Sequence, residues 1–111
     1  MAPLTHIVIF GFKDDVSKAT RDEVGERFHA LAKESTRGAD SKPYILSIRG
    51  GKDASIERMT QGYEQAWIIE FASPEDRDYY IHDCKVHAQF ATWVKTLASK
   101  VLVIDFHDGQ Y

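Results

Sequence analysis

Apolar and polar positions alternate with period two in four stretches of the chain and recur at helical spacing in three others. Leu4 to Lys13 carries His6, Val8, Phe10 and Phe12 on one face and Ile7 and Ile9 on the other, the pattern of a strand covered on both sides. Thr20-Arg21-Asp22-Glu23 has the spacing of a capping box, and Val24, Phe28, Leu31 and Ala32 follow at helical spacing, which predicts a helix to about Ser35. Residues 36–43 break it, with Gly38 as a left-handed stop and Pro43 turning the residue before it away from helix. Tyr44 to Arg49 reads as a weaker second strand closed by Gly50-Gly51, and residues 52–62 as a long polar connection over one edge of the sheet. Tyr63 to Phe71 alternates again, with Gln65, Trp67, Ile69 and Phe71 on one face. Ser73-Pro74-Glu75-Asp76 then places a capping serine, a first-turn proline and two acids where a helix N-terminus favours them. That helix is expected to end around His82. A second helical pattern resumes at Val86, Phe90, Trp93, Val94 and Leu97, and Val101 to Phe106 is the last strand.

Strand, helix, strand, strand, helix pair, strand is the split order of the ferredoxin-like fold, so the class is α+β with a four-stranded antiparallel sheet. Right-handed crossovers put both helical layers on one face. If Val8, Phe10, Trp67, Ile69, Val101 and Val103 face the helices, then Ile7, Ile9, Ala66, Ile68, Leu102 and Ile104 form an apolar patch on the bare face. A soluble monomer does not tolerate such a patch. Its gross burial is worth about 10 kcal/mol before association costs, which predicts a homodimer packed sheet to sheet.

Length and composition narrow the partners more than they alter this outline. The 111 residues predict one domain over 1–111, with an apolar share of 43% that suits a folded globule. Acidic residues outnumber basic ones by 17 to 14 and the basic ones are scattered, so neither nucleic acid nor a membrane surface is the expected partner. Ile7 to Phe10 is too short for a signal-peptide core or a membrane span. One cysteine, Cys84, excludes an intramolecular disulfide framework and fits a reducing compartment, so the expected location is the cytoplasm.

The residues placed for chemistry cluster between the two late helical patterns. His82, Asp83, Cys84 and His87 suggest a metal cluster, but their spacing matches no zinc pattern and no second ligand pair exists elsewhere, so no metal and no cofactor is assigned. His87 falls in the first turn of the last helix, where the positive end of the dipole disfavours imidazolium and keeps a neutral base. It reads equally as a histidine that caps or packs. His6 and Gln65 add polar groups to an apolar pocket expected to involve Val8, Phe10, Phe28, Trp67, Ile69, Phe90, Val101 and Val103. Trp67 points between sheet and helices and could fill the space a substrate needs.

Several pieces in order resemble the stress-responsive dimeric alpha/beta barrel (Dabb) family. They are His6-Ile7-Val8, Phe12-Lys13-Asp14, Gly62-Tyr63, Glu70-Phe71-Ala72-Ser73 with Glu75, Tyr80, and His87 with Phe90 three residues on. The resemblance spans essentially the whole chain and implies a dimeric α/β barrel joined sheet to sheet. Members include heat-stable plant proteins and a plant cyclase that closes a ring in a linear polyketide without a cofactor. In such a cyclase a histidine opening the last helix is the general base, assisted by a tyrosine on the preceding short helix. This implies His87 as base and, counting from Phe71 to Glu75, Tyr80 as its assistant; counting back from His82 gives Tyr79. The family commonly has His-Pro in this break, where the chain has His82-Asp83. The function so implied is a cofactor-independent polyketide cyclase or lyase acting on a small hydrophobic carbonyl compound. The alternatives are a non-catalytic stress-responsive or ligand-binding dimer and a cofactor-free oxygenase.

Overall fold

A computed structural model describes residues 3–111. Strand β1 (Leu4–Phe12) is followed by helix α1 (Lys18–Glu34), a short hairpin of β2 (Thr36–Arg37) and β3 (Lys42–Pro43), and strands β4 (Ile45–Lys52) and β5 (Gln65–Phe71). Helices α2 (Pro74–His82) and α3 (Lys85–Leu97) then lead into β6 (Ala98–Phe106). The main sheet has the order β4-β5-β1-β6 with every pair antiparallel, and the helices cover one face: the ferredoxin-like arrangement read from the pattern.

Two helix-boundary expectations are corrected. Helix α1 starts one turn before the Thr20 capping box: Ser17 is the N-cap, and its Oγ accepts from the Thr20 amide at 3.1 Å. Serine is the stronger cap, and buried Val16 anchors the chain just ahead of it. Glu23 instead pairs with Arg27 one turn on, at 2.6 Å. At the other end the helix closes on Ser35 in extended backbone, and Gly38, with φ of +88°, serves the turn of the β2–β3 hairpin instead.

Strand β4 also runs further than its glycines suggested, through Gly50 and Gly51 to Lys52. Gly50 lies directly across from Trp67 and pairs with it in the ladder. A Cβ at Gly50 would stand 2.5 Å from the indole Cε3 and 2.4 Å from the Ala66 carbonyl oxygen, so the missing side chain is the space the indole occupies. From the helix side, Phe28 stacks on the same ring at 4.5 Å between centroids. Trp67 is thereby drawn sideways under α1 and towards β4, at 1% exposure.

Register fixes which side chains share the helix face. His6 stands across from Ile69 on one side and Asp105 on the other, Val8 from Trp67 and Val103, and Phe10 from Gln65 and Val101. The opposite face carries Ile7, Ile9, Ala66, Ile68, Leu102 and Ile104, as the alternation predicted, and among the described residues no helix covers it. Leu102 is 39% and Ile104 51% exposed on this face. Among the described residues no helix is long and apolar enough to cross a membrane.

Gly50→Ala should destabilise the fold by about 2 kcal/mol, the cost of overpacking against backbone and a buried ring, read as a lower denaturation midpoint with unchanged slope. A midpoint like that of wild type would show that Trp67 does not depend on this gap.

Candidate active site

The site forms where β1, β6, α2 and α3 meet. Ser73 caps α2, its Oγ accepting from the Asp76 amide at 3.2 Å, and Pro74 occupies the first helical position. Helix α2 ends when the amides of Asp83 and Cys84 both turn back to the Tyr79 carbonyl, at 2.8 and 2.9 Å. Cys84 then opens α3, its carbonyl accepting from the Ala88 amide at 3.0 Å. This tight break replaces the proline the family often carries there. It folds α3 back so that the rings of Tyr80 and His87 stack, with centroids 3.8 Å apart and planes 28° from parallel. Tyr79 faces another way, edge-on to Tyr44 at 5.3 Å with the Arg37 guanidinium over it. Of the two tyrosines open to assignment, Tyr80 is therefore the one beside His87.

Nine of the expected pocket residues border one cavity of about 260 Å³: His6, Val8, Phe10, Phe28, Tyr80, His87, Phe90, Val101 and Val103. Ile81, Ala91, Val94 and Lys95 complete its walls. Gln65, Trp67 and Ile69 stand outside. Gln65 donates to the Arg21 carbonyl at 3.0 Å and accepts from the Trp67 indole N–H at 3.1 Å, and Ile69 is fully buried beneath the helices. Trp67 leaves the cavity open because the gap at Gly50 accommodates it elsewhere. A larger hollow of about 620 Å³ lies on the bare face, between residues 53–64 and Ile9, Ala66 and Leu102. It contains no histidine and is open to solvent.

Burial lowers the His87 imidazole to about 4; the Tyr80 backbone carbonyl acts in the opposite sense, and the nearby His6 and Lys95 lower it further. The ring is thus neutral as expected, with desolvation ahead of any charge as the cause. Its Nδ1 is buried without a hydrogen-bond partner. Burial, with the Cys84 thiol nearby, raises the Tyr80 phenol well above its ordinary value, so it keeps its proton. In this cavity the phenol is a hydrogen-bond donor and the imidazole a proton acceptor.

His6 belongs to a polar chain that sequence reasoning missed. Its Nδ1 lies 2.6 Å from Asp105 Oδ1, and the other oxygen of that carboxylate accepts from Arg77 Nη1 at 2.7 Å. Arg77 Nε in turn donates to Asp78 at 2.7 Å. A carboxylate only accepts, so Nδ1 of His6 carries a proton towards Asp105. His6 lies edge-on to Tyr80 at 6.0 Å, which brings both histidines to the same phenol ring. His82 and Asp83 are exposed while Cys84 is buried, and among the described residues no group of three His, Cys, Asp or Glu converges as metal ligands.

Relatives of known identity share this architecture. The Stress responsive A/B Barrel Domain profile matches residues 4–108. The stress-response A/B barrel domain-containing protein HS1 of Arabidopsis thaliana is 32% identical over 105 residues, 94% of this chain and 88% of the relative. Olivetolic acid cyclase of Cannabis sativa is 24% identical over 102 residues, 91% of this chain and 92% of the cyclase. The hydroxynitrile lyase of Passiflora edulis superposes with a TM-score of 0.84 at 18% identity, over 99% of this chain and 96% of the lyase, a likeness of fold. With the profile spanning nearly the whole described chain, the protein belongs to the stress-responsive A/B barrel domain family.

Proposed function

We propose that this protein is a cofactor-independent enzyme that makes or breaks a carbon–carbon bond beside a carbonyl, in the manner of a polyketide cyclase or lyase, on a small hydrophobic substrate. The observation that carries the reading is the stack of a neutral, partly unpartnered His87 on a protonated Tyr80 at the wall of an apolar cavity. A weakly basic imidazole suits the removal of a proton from carbon activated by two carbonyls, where the acid is itself unusually strong. Tyr80 donates to the carbonyl oxygen on which enolate charge develops, and the apolar walls strengthen that hydrogen bond. The proton that His87 takes from carbon is the one it returns to the alkoxide oxygen as the new hydroxyl forms, while Asp105 holds the His6 ring against Tyr80. The family membership of a named cyclase supports this reading.

A second reading, a non-catalytic stress-response or ligand-binding dimer, is favoured by the 32% identity to HS1. A cofactor-free oxygenase is the third, resting on a fold likeness to the Streptomyces nogalater oxygenase SnoaB at 12% identity. Product formation that stops without oxygen would single it out. In each reading two copies are proposed to pack through the bare face. Neighbours of the same fold are described as dimeric, and Met59, 73% exposed, lines the hollow on that side.

On linear polyketide substrates, His87→Ala should lower kcat/KM by about 100-fold or more, the usual contribution of a general base. Tyr80→Phe should lower it by about tenfold or more, as expected for loss of one donor to a developing oxyanion. Because the neutral ring is the active form, the rate should fall as pH drops through about 4, the value to which burial lowers His87, and not near the ordinary histidine value. Unchanged turnover in both variants, or an acid limb near pH 6.5, would remove His87 from the role of base. For the assembly, Leu102→Glu with Ile104→Glu should weaken dimerisation at least about 100-fold, the scale of burying unpaired charge. Sedimentation equilibrium reads this directly, and a monomeric wild type would contradict the proposed interface.

A further inference from the structure

We propose that Arg77 is a positioning residue for the cavity, acting through Asp105 to fix the His6 ring and, through that ring, the place of Tyr80. The catalytic consequence rests on the reading of the cavity given above; the effect on His6 does not.

Helix α2 sorts its side chains by spacing. Tyr80 and Ile81 follow Arg77 by three and four residues, so the three share one face of the helix. From that face Tyr80 and Ile81 line the cavity, while the Arg77 guanidinium reaches across to β6. Its Nε donates to Asp78 at 2.7 Å and its Nη1 to Asp105 Oδ2 at 2.7 Å. Asp105 Oδ1 lies 2.6 Å from His6 Nδ1. Each oxygen of the Asp105 carboxylate thus has its own partner, and among the described residues that side chain has no third.

The second partner matters because Asp105 lies on an edge strand, with its side chain part-exposed. A carboxylate held by one oxygen there is free to turn its other oxygen to water. Two short charge-assisted bonds, one to each oxygen, fix its plane. Register sets Asp105 directly across from His6, so a fixed carboxylate plane fixes the ring that bonds to it. His6 is buried, edge-on to Tyr80 at 6.0 Å and tilted against Phe71 at 6.1 Å. The remaining titratable or charged groups around it are Tyr80 of α2 and His87 and Lys95 of α3, which line the same cavity, and β5 sets Ile69 and Phe71 beside it. Among the described residues none of these bonds to His6, which leaves the Asp105–Arg77 pair as the polar hold on the ring. The ordinary alternative for Arg77 is a tether that neutralises Asp105 and ties α2 to β6. Such a tether is felt in stability and is blind to the His6 proton.

Proton NMR of the nitrogen-labelled full chain follows the Nδ1 proton of His6. In Arg77→Met its exchange with water should rise about tenfold or more, the scale of one lost hydrogen bond to a charged group. Arg77→Ala carries the same expectation should the methionine variant not fold. Arg77→Lys, which keeps a charged donor for Asp105, should retain most of the protection. In an Asp105→Asn background Arg77→Met should add little, because the effect passes through that carboxylate. On a linear polyketide substrate Arg77→Met should lower kcat with KM nearly unchanged. Wild-type exchange at His6 in Arg77→Met, with only a lowered denaturation midpoint, overturns the positioning role and leaves a tether. An equal effect in both backgrounds overturns the route through Asp105. A wild type without turnover, in which Arg77→Met still frees the His6 proton, overturns the catalytic consequence and leaves the positioning of His6 standing.

Discussion

The stack of Tyr80 on His87 ties together the parts on which the site depends. It joins α2 to α3 across their break, closes one wall of the cavity, and holds Tyr80 buried with His87 half-buried beside it. An aromatic pair of this kind contributes about 0.5–1.5 kcal/mol beyond its burial. Leaving the His87 Nδ1 buried without a partner costs about 1–3 kcal/mol. The two are of similar size, so packing supports a desolvated nitrogen that isolated chemistry would not favour. The same desolvation sets the proton states, lowering the imidazole and raising the phenol. Packing and reactivity here have one cause.

The cavity exists because another ring was moved away from it. Trp67 sits on the helix face of the central sheet, one ladder position from Val8, and a straight projection would have brought it towards the space that Val8 and Val103 border. Gly50 beneath it leaves the space the indole fills, Phe28 of α1 stacks on it from above, and Gln65 fixes its N–H. The gap at Gly50 thus decides where the ring lies. Its effect was not readable from alternation, since Gly50-Gly51 carries no side chain and looks like the end of a strand.

Much of the fold was legible in the sequence because period-two alternation and the Ser73-Pro74 helix start are local signals. The identity of the two sheet faces followed from parity alone. The start of α1 was misplaced because Thr20-Glu23 satisfies the capping-box spacing while Ser17, one turn earlier, does the capping. Within the site, His87 and Tyr80 were reached through resemblance, with the geometry placing one against the other. Asp105 and Arg77 were missed for different reasons. Asp105 shares the parity of Val101 and Val103, so an acid on the helix face of an apolar strand was visible; what alternation lacks is the register that sets it opposite His6. Arg77 looked like one more charge on a polar helix, and only the approach of α2 to β6 turns it inward to a carboxylate.

The central claim is that one cavity holds two histidines in different ways: His87 kept neutral by burial, His6 anchored through its Nδ1 proton to Asp105. Nitrogen NMR of the labelled imidazoles tests both at once. The account predicts a proton on Nδ1 of His6 that Asp105→Asn disturbs, and a His87 ring that stays unprotonated on lowering the pH from 7 to about 5. A His87 that gains its second proton near pH 6.5, or a His6 protonated on Nε2 alone, would contradict it.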